Sequence, residues 1–197
     1  MRWDNLFDDL EGQLEQELSA DELDERAEEE RLRLGRLSLR ERILALHESD
    51  EALVLGIALT NGQQLVVRPS TFGRDWFAAD LDEGTHRRSV CIVPLAAVSA
   101  LLLTRGQIEA SLVEVDAASG ANSLSARLTL PFVLRDLCRR RSALTLRTTT
   151  GDVHGTIDRV GRDHLDLAVH EAGTPRRQSS VTQCRVVPLA QLLLVRL

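Results

Sequence analysis

Five histidines and three cysteines are the side chains in this sequence best suited to metal binding or nucleophilic catalysis. They are His47, His86, His154, His164 and His170, with Cys91, Cys138 and Cys184. The cysteines lack the CxxC and CxH spacings of zinc and redox sites, and we interpret them as small buried apolar residues. The sequence also contains no P-loop, GxSxG or GxGxxG motif. We therefore predict a protein that is not an enzyme and that needs no metal or other cofactor.

Arginine supplies a second kind of chemistry, because its guanidinium group holds phosphate oxygens through paired hydrogen bonds. All 24 basic side chains of the chain are Arg. Residues 127–197 carry 12 Arg against 6 acids, whereas residues 1–35 carry 13 acids against 4 Arg. Six Arg of the C-terminal part are candidate nucleic-acid contacts: Arg139, Arg140, Arg141, Arg162, Arg176 and Arg177. The alternative is that Arg139, Arg140 and Arg141 only complement the negative end of a helix dipole.

Two segments of the sequence are near copies of each other, and they define the elements that position these side chains. FGRDWFAADLDEGTHRRSVCIVPLAA occupies residues 72–97, and VGRDHLDLAVHEAGTPRRQSSVTQCRVVPLAQ occupies residues 160–191. Several landmarks recur in the same order, among them the GRD turn, a pair of Arg and the VPLA sequence. Such self-similarity is the signature of a repeated structural unit.

A short helix is predicted at the start of each copy. RLSLRERILALH at 36–47 matches RLTLPFVLRDLC at 127–138. Ser38 and Thr129 occupy the same position in the two segments, and both are preferred N-cap residues. Pro131 falls in the first turn of the second helix, where its missing N–H costs nothing.

Alternation of apolar and polar residues predicts five short strands after each helix. In the first copy they are 52–60, 63–68, 76–81, a strand ending in VPLA at 93–96, and 98–103. In the second copy they are 143–149, 152–160, 164–169, a strand ending in VPLA at 187–190, and 191–196. Asn61-Gly62 and Thr150-Gly151 are turn signals between the first two strands of each copy. The glycine of each GRD turn is expected to adopt a positive φ.

The second copy resembles the Sm-like small β-barrel, which has one helix followed by five strongly bent strands. The likeness rests on G-x-V-x-G-x-I-x-x-V-G-x-D-H-L-x-L at 151–167, and the first copy follows it more loosely. The chain as a whole is similar to a family of high-GC bacteria whose members are sometimes labelled transcriptional regulators. The resemblance implies an RNA site, but Asp166 stands where such proteins carry Asn, and VVPL replaces their basic Gly motif.

The resemblance makes the predicted fold class mainly β with helices, built from two Sm-like or SH3-like small barrels behind an acidic helical arm. The arm is 1–35, the first barrel 36–116, the linker 117–126 and the second barrel 127–197. The linker follows from the small polar stretch AASGANS within it. Four apolar residues before it are expected to form an additional strand: Ile108, Leu112, Val113 and Val115.

The acidic arm is predicted to be amphipathic and helical up to Gly35, either as two helices or as one helix with a break near residue 19. Its apolar stripe begins with Trp3, Phe7, Leu10 and Leu14, which fit one face of a helix. This stripe is a candidate partner-binding surface; the alternatives are that it packs on its own barrels or on a second copy. Trp76 is a further candidate contact, because it lies with Phe72 and Phe77 at one turn.

These observations favour a non-catalytic adaptor or regulatory binding protein that acts through its barrels and its arm. The alternative is an RNA- or DNA-binding protein that uses the Arg-rich second barrel, with the acidic arm modulating access. We expect a protein partner or self-association, and neither a membrane nor a small-molecule substrate. The sequence has no apolar run of 18 residues and begins with an acidic segment unlike a secretory signal, which favours a cytoplasmic location.

Overall fold

The computed structural model describes residues 24–82, 89–115 and 124–197. Residues 24–36 are helical (α1), and they belong to a unit that ends at Ser38. Exposed ion pairs join Arg31 to Glu28 and Arg33 to Glu30 one turn apart. The helix continues through Gly35 instead of ending there. The predicted helix over the first 18 residues and its break near residue 19 lie outside the described residues.

The second unit extends from Leu39 to Leu197 and contains both copies. The first copy consists of α2 Leu39–Ser49, β1 Leu55–Leu59, β2 Gln64–Phe72, β3 Trp76–Leu81, β4 Ser89–Pro94 and β5 Val98–Leu102. A short helix, α3 Arg105–Ala110, follows it. The second copy consists of α4 Leu130–Arg139, β6 Ala143–Thr148, β7 Gly151–Val160, β8 His164–Val169, β9 Gln183–Pro188 and β10 Leu192–Arg196. The prediction of one helix and five strands per copy is confirmed, and we call the two copies repeat 1 and repeat 2.

Equivalent bulges bend the second strand of each repeat. The β2–β3 register shifts between Pro69 and Thr71, and the β7–β8 register shifts between Ile157 and Arg159. A bulge adds a residue to one strand and increases the local twist. The proline is accommodated because it falls at this irregularity. Both repeats therefore bend at the same place for the same geometric reason.

The helix α3 replaces the strand that was predicted between the repeats. Thr104 accepts a hydrogen bond from the backbone N–H of Gln107, and the Gln107 side chain accepts one from the N–H of Thr104. This reciprocal capping box stabilises a helix start and outweighs the β-branched residues that follow. The strand prediction was wrong because it counted apolar residues and ignored this cap.

The two repeats form one continuous antiparallel sheet with the order β5-β1-β2-β3-β4-β10-β6-β7-β8-β9. The repeats meet where the fourth strand of repeat 1 pairs with the fifth strand of repeat 2. Ile92 stands opposite Val195 and Cys91 opposite Arg196, and the N–H of Leu197 donates to the Val90 carbonyl at 2.9 Å. We call this pairing the β4–β10 junction. The order leaves β5 and β9 at the two ends of the sheet, so the sheet is open.

The hydrophobic cores of the repeats exchange residues across the β4–β10 junction. Leu193 and Leu194 of β10 are buried in the core of repeat 1. Trp76 of β3 and Ile92 of β4 are buried in the core of repeat 2. Burial of each such side chain contributes roughly 1.5–3 kcal/mol, more than the roughly 0.5–1.5 kcal/mol net of one backbone hydrogen bond. The junction is therefore held mainly by these apolar side chains.

The GRD turn of repeat 1 docks on the start of α4. Asp75 accepts a hydrogen bond from the N–H of Leu130 at 2.7 Å, and the indole N–H of Trp76 donates to the Leu128 carbonyl at 3.0 Å. Thr129 is the N-cap residue as predicted, but its side chain makes no capping bond because Asp75 satisfies the helix start. The expected positive φ is found neither at Gly73 nor at Gly161. A Cβ on Gly73 would overlap the Trp76 indole and one on Gly161 the His164 ring, so glycine is needed in both turns for close approach.

The coarse fold prediction is therefore confirmed, since the structure is mainly β with helices. The described strands do not close into a barrel. The domain boundaries at 36–116 and 127–197 remain predictions, and most of the proposed linker lies outside the described residues.

We predict that Trp76→Ala lowers the free energy of unfolding by about 3–5 kcal/mol, because it leaves a cavity between the repeats and removes a buried hydrogen bond. The matched control is His164→Ala, at the same position of repeat 2, where the side chain is exposed and little change is expected. Urea unfolding followed by circular dichroism measures both. Equal losses in the two variants would contradict the docking role of Trp76.

Candidate binding site at the free edge of repeat 2

The strand β9 is the repeat 2 counterpart of β4, but it lacks the neighbour that β4 has. It pairs with β8, and no strand among the described residues pairs with its other side. Ile92 of β4 is 4% exposed, whereas Val186 at the same position of β9 is 69% exposed. The difference arises because β10 and repeat 2 cover Ile92. Repeat 2 thus presents an uncovered version of the surface by which repeat 1 binds it.

A groove of about 480 Å³ lies beside β9. Its lining residues are Thr148, Thr150, Val153, Gln183, Cys184, Arg185, Val186, Val187, Pro188 and Gln191. In repeat 1 the matching positions of Thr148 and Gln191 are Leu59 and Ala97, which are buried in one cluster with Leu193 and Leu194. The groove is therefore the counterpart of the space that β10 fills in repeat 1. We call β9 together with this groove the β9 edge site.

A second groove of about 410 Å³, lined by more charged residues, shares Cys184, Arg185 and Val186 with the β9 edge site. Asp158 lies within it and accepts hydrogen bonds from Arg176 at 2.6 Å and from Arg141 at 2.9 Å. These bonds, that from Arg176 first, hold the pKa of the Asp158 carboxyl below its usual value. One carboxylate thus neutralises part of the positive charge of two guanidinium groups.

Four of the six candidate nucleic-acid residues are engaged in ion pairs. Arg139 and Arg140 both bind Asp136, at 2.5 and 2.6 Å, and the pairings of Arg141 and Arg176 with Asp158 account for the other two. Arg162 and Arg177 are exposed, and their side chains have no ion-pair partner among the described residues. Two carboxylates thus face four guanidinium groups, so these ion pairs hold the Arg side chains in place and compensate only part of their positive charge.

The candidate partner contacts have two different outcomes. Trp76 is 5% exposed and packs inside the chain, so its assignment as a surface contact is corrected. It is buried because α4 and the segment before it cover β3, an arrangement that a local turn motif does not reveal. Phe72 and Phe77 are buried as well. Trp3, Phe7, Leu10 and Leu14 lie outside the described residues and remain predictions.

The exposed β9 edge site escaped the sequence reasoning, although the alignment of the repeats contained a signal for it. Ile92 and Val186 occupy the same position of the two aligned segments. The difference in their exposure becomes visible only when the neighbouring strand is known: β10 lies beside β4, whereas β9 lies at the end of the sheet.

The three cysteines also differ in exposure. Cys91 is buried, which raises the pKa of its thiol to about 12, Cys138 is half-buried, and Cys184 is exposed on β9. The prediction of burial is therefore wrong for Cys184.

Two histidines meet between β7 and the end of β8. The rings of His154 and His170 are 5.4 Å apart and perpendicular. The Thr156 hydroxyl bonds one ring nitrogen of buried His170, and the Glu171 carbonyl accepts from the other. His154 bonds the Thr145 hydroxyl at 3.0 Å, while its Nε2 is buried and has no hydrogen-bond partner within the described parts of the chain. The described residues contain no group of three His, Cys, Asp or Glu that could hold a metal ion.

Comparisons with known proteins identify no relative: no family model, curated protein or solved structure matches this chain. None of the described helices has the length and apolar character needed to cross a membrane.

We predict that acidification destabilises the fold partly through His154. Desolvation, followed by the proximity of His170, lowers the pKa of His154. The unfolded chain therefore takes up this proton at a higher pH than the folded chain, and stability falls as the pH drops below about 6.5. In His154→Val, which copies Val66 of repeat 1, the loss between pH 7.5 and pH 5.5 should be smaller than in the wild type. Equal losses by urea unfolding would contradict this role.

Proposed function

We propose that this protein is a non-catalytic adaptor that binds protein partners through the β9 edge site, and that its two repeats are small Sm-like units. The observation that carries the proposal is the contrast between Val186, exposed on an unpaired strand, and Ile92, covered at the same position of repeat 1. Edge strands offer unpaired N–H and C=O groups to a strand from another chain. Added strands obtain affinity from these groups and specificity from side-chain pockets.

The internal β4–β10 junction supports this proposal, because there β4 already pairs with a strand in the way that we propose for its counterpart β9. There an extended strand pairs with β4 at Ile92 and Cys91, and its Leu193 and Leu194 are buried in the same core as Cys91. The β9 edge site offers the same backbone geometry with a more polar lining, since Thr148 and Gln191 replace Leu59 and Ala97. A ligand of this site is therefore an extended protein segment with small or polar residues at the positions of Leu193 and Leu194.

The acidic arm is proposed as a second contact of the adaptor. Its stripe of Trp3, Phe7, Leu10 and Leu14 fits the helix-in-groove mode, in which apolar anchors repeat every three or four residues. The proposal places the protein in the cytoplasm. Trp3→Ala with Phe7→Ala is expected to release an arm partner and to leave the sheet folded.

The decisive test for the β9 edge site is site-specific photo-crosslinking. A photoreactive amino acid at exposed Gln183 should form protein adducts in intact cells of the source organism. Val186→Asp in the same chain should abolish them, because a carboxylate would have to be desolvated against the incoming strand. The matched control is Leu124→Asp, at an exposed apolar residue that does not line the groove. Adducts that persist in Val186→Asp would contradict the proposal.

The alternative proposal is nucleic-acid binding through repeat 2, and the ion pairs at Asp136 and Asp158 do not favour it. We predict weak binding of mixed-sequence RNA and DNA, because only part of the positive charge is available to release counterions. Fluorescence anisotropy at low and moderate salt measures this. Tight, strongly salt-dependent binding that is lost in Arg162→Glu with Arg177→Glu would overturn the prediction and support the alternative.

A further inference from the structure

We propose that the protein segment bound at the β9 edge site is acidic, and that its carboxylates bind the arginines of the second groove beside β9. The inference rests on the proposed function, because the segment reaches this groove by adding to β9. Six charged residues line the groove, which we call the charged groove: Arg141, Asp158, Arg159, Asp166, Arg176 and Arg185. Four positive and two negative side chains leave a formal excess of two positive charges.

The charged groove lies where repeat 1 is covered by another part of the chain. Asp166 and Val186 line the groove, and the residues at the same positions of repeat 1 are Ala78 and Ile92. Ala78 and Ile92 pack in the core of repeat 2, against elements that follow repeat 1 in the chain. In repeat 2 the same surface is an open groove, and Val186 is 69% exposed. The surface that is occupied in repeat 1 is therefore available to a ligand in repeat 2.

The residues at this surface differ in charge between the repeats. Four charged residues of the groove replace neutral ones of repeat 1: Asp158 for Ser70, Arg159 for Thr71, Asp166 for Ala78 and Arg185 for Cys91. The cover of repeat 1 is apolar, since Leu130, Leu134 and Val195 belong to the core that contains Ile92. An apolar cover on repeat 2 would desolvate charged groups without pairing them, which is costly. The ligand of repeat 2 must therefore carry charge, and the excess of Arg selects a negative one.

Ion pairs order two of the arginines without using all of their donors. Arg176 donates to Asp158 at 2.6 Å and Arg141 donates to it at 2.9 Å, each through one guanidinium nitrogen. A guanidinium group carries several N–H donors, so both side chains keep donors for a second carboxylate. Arg185 donates to the neutral amide oxygen of Gln183 at 2.8 Å, and it has no ion-pair partner within the described ranges. A carboxylate ligand thus meets side chains that are already ordered, which lowers the entropy cost of binding.

The charged groove and the groove of the β9 edge site lie on opposite faces of the sheet. Val153 lines the groove of the β9 edge site and belongs to the hydrophobic core of repeat 2. Asp166 lies between Leu165 and Leu167, which are buried in that core, so its own side chain points to the other face. Successive side chains of an added strand also alternate between the two faces. The ligand is therefore an extended segment in which small or polar residues alternate with Asp or Glu.

The test selects ligands for the full chain from a random peptide library displayed on phage. Selected peptides should carry Asp or Glu at alternate positions, and a synthetic copy should bind in fluorescence anisotropy. The affinity should fall as salt is added, because salt screens exposed charges. A copy with Asn or Gln in place of the acids should bind about tenfold more weakly, since it loses hydrogen bonds between charged groups. Val186→Asp should abolish binding of the acidic peptide.

Reversing one charge of the protein separates recognition from a structural role. Arg185→Glu should weaken the acidic peptide and strengthen a copy in which Arg replaces its acids. The matched control is Arg162→Glu, which makes the same change of charge at an exposed residue of repeat 2 outside the charged groove. This control should leave both affinities unchanged. Circular dichroism and urea unfolding confirm that each variant is folded.

The other outcomes divide between the inference and the proposed function. Selected peptides that lack acids but are lost in Val186→Asp would overturn the inference and leave the β9 edge site standing. Peptides that all bind Val186→Asp as well as they bind wild type would contradict the proposed function itself. Equal responses of Arg185→Glu and Arg162→Glu would show that the peptide responds to the net charge of the chain, and would overturn the assignment to the charged groove.

Discussion

The β4–β10 junction is the contact on which the rest of this structure depends. Its backbone pairing is short, but four large apolar side chains cross it and complete the core of the opposite repeat. The turn before β3 adds two hydrogen bonds: Asp75 accepts one from the Leu130 N–H at the start of α4, and the Trp76 indole donates one to the Leu128 carbonyl. Each repeat therefore relies on the other for part of its core, which makes the two repeats one compact unit from Leu39 to Leu197.

The same junction explains why the two ends of the sheet differ from its middle. The fourth strand of one repeat pairs with the fifth strand of the other only once, as β4 with β10. The remaining fifth and fourth strands, β5 and β9, therefore each end the described sheet with one unpaired side. Val186 is exposed for this reason, and not because its local sequence is unusual: VVPL and IVPL are nearly identical. The chemistry of repeat 2 has diverged around the free strand, where Thr148, Arg185 and Gln191 replace apolar residues.

The composition of repeat 2 does not reveal which of its Arg side chains are held in ion pairs. A net excess of Arg in residues 127–197 favours a phosphate-binding surface, yet Asp136 and Asp158 each take up two of the candidate Arg. The partners of Arg176 and Arg141 lie 18 and 17 residues away, on a neighbouring strand, so no local motif announces them. Hydrogen bonds of this kind lower the pKa of the Asp158 carboxyl and hold the side chains in place.

The sequence by itself determined the elements. Period-two alternation predicted β8 at 164–169, and the shared GRD turn predicted β3 at 76–81, both with their observed bounds. The aligned segments predicted one helix and five strands in each repeat. These features depend on neighbours within a few residues, and so a local pattern encodes them. Only the tertiary structure decided which faces are covered. The burial of Trp76 and the exposure of Val186 depend on α4 and β10, elements distant in the chain, whose positions follow from packing and not from periodicity.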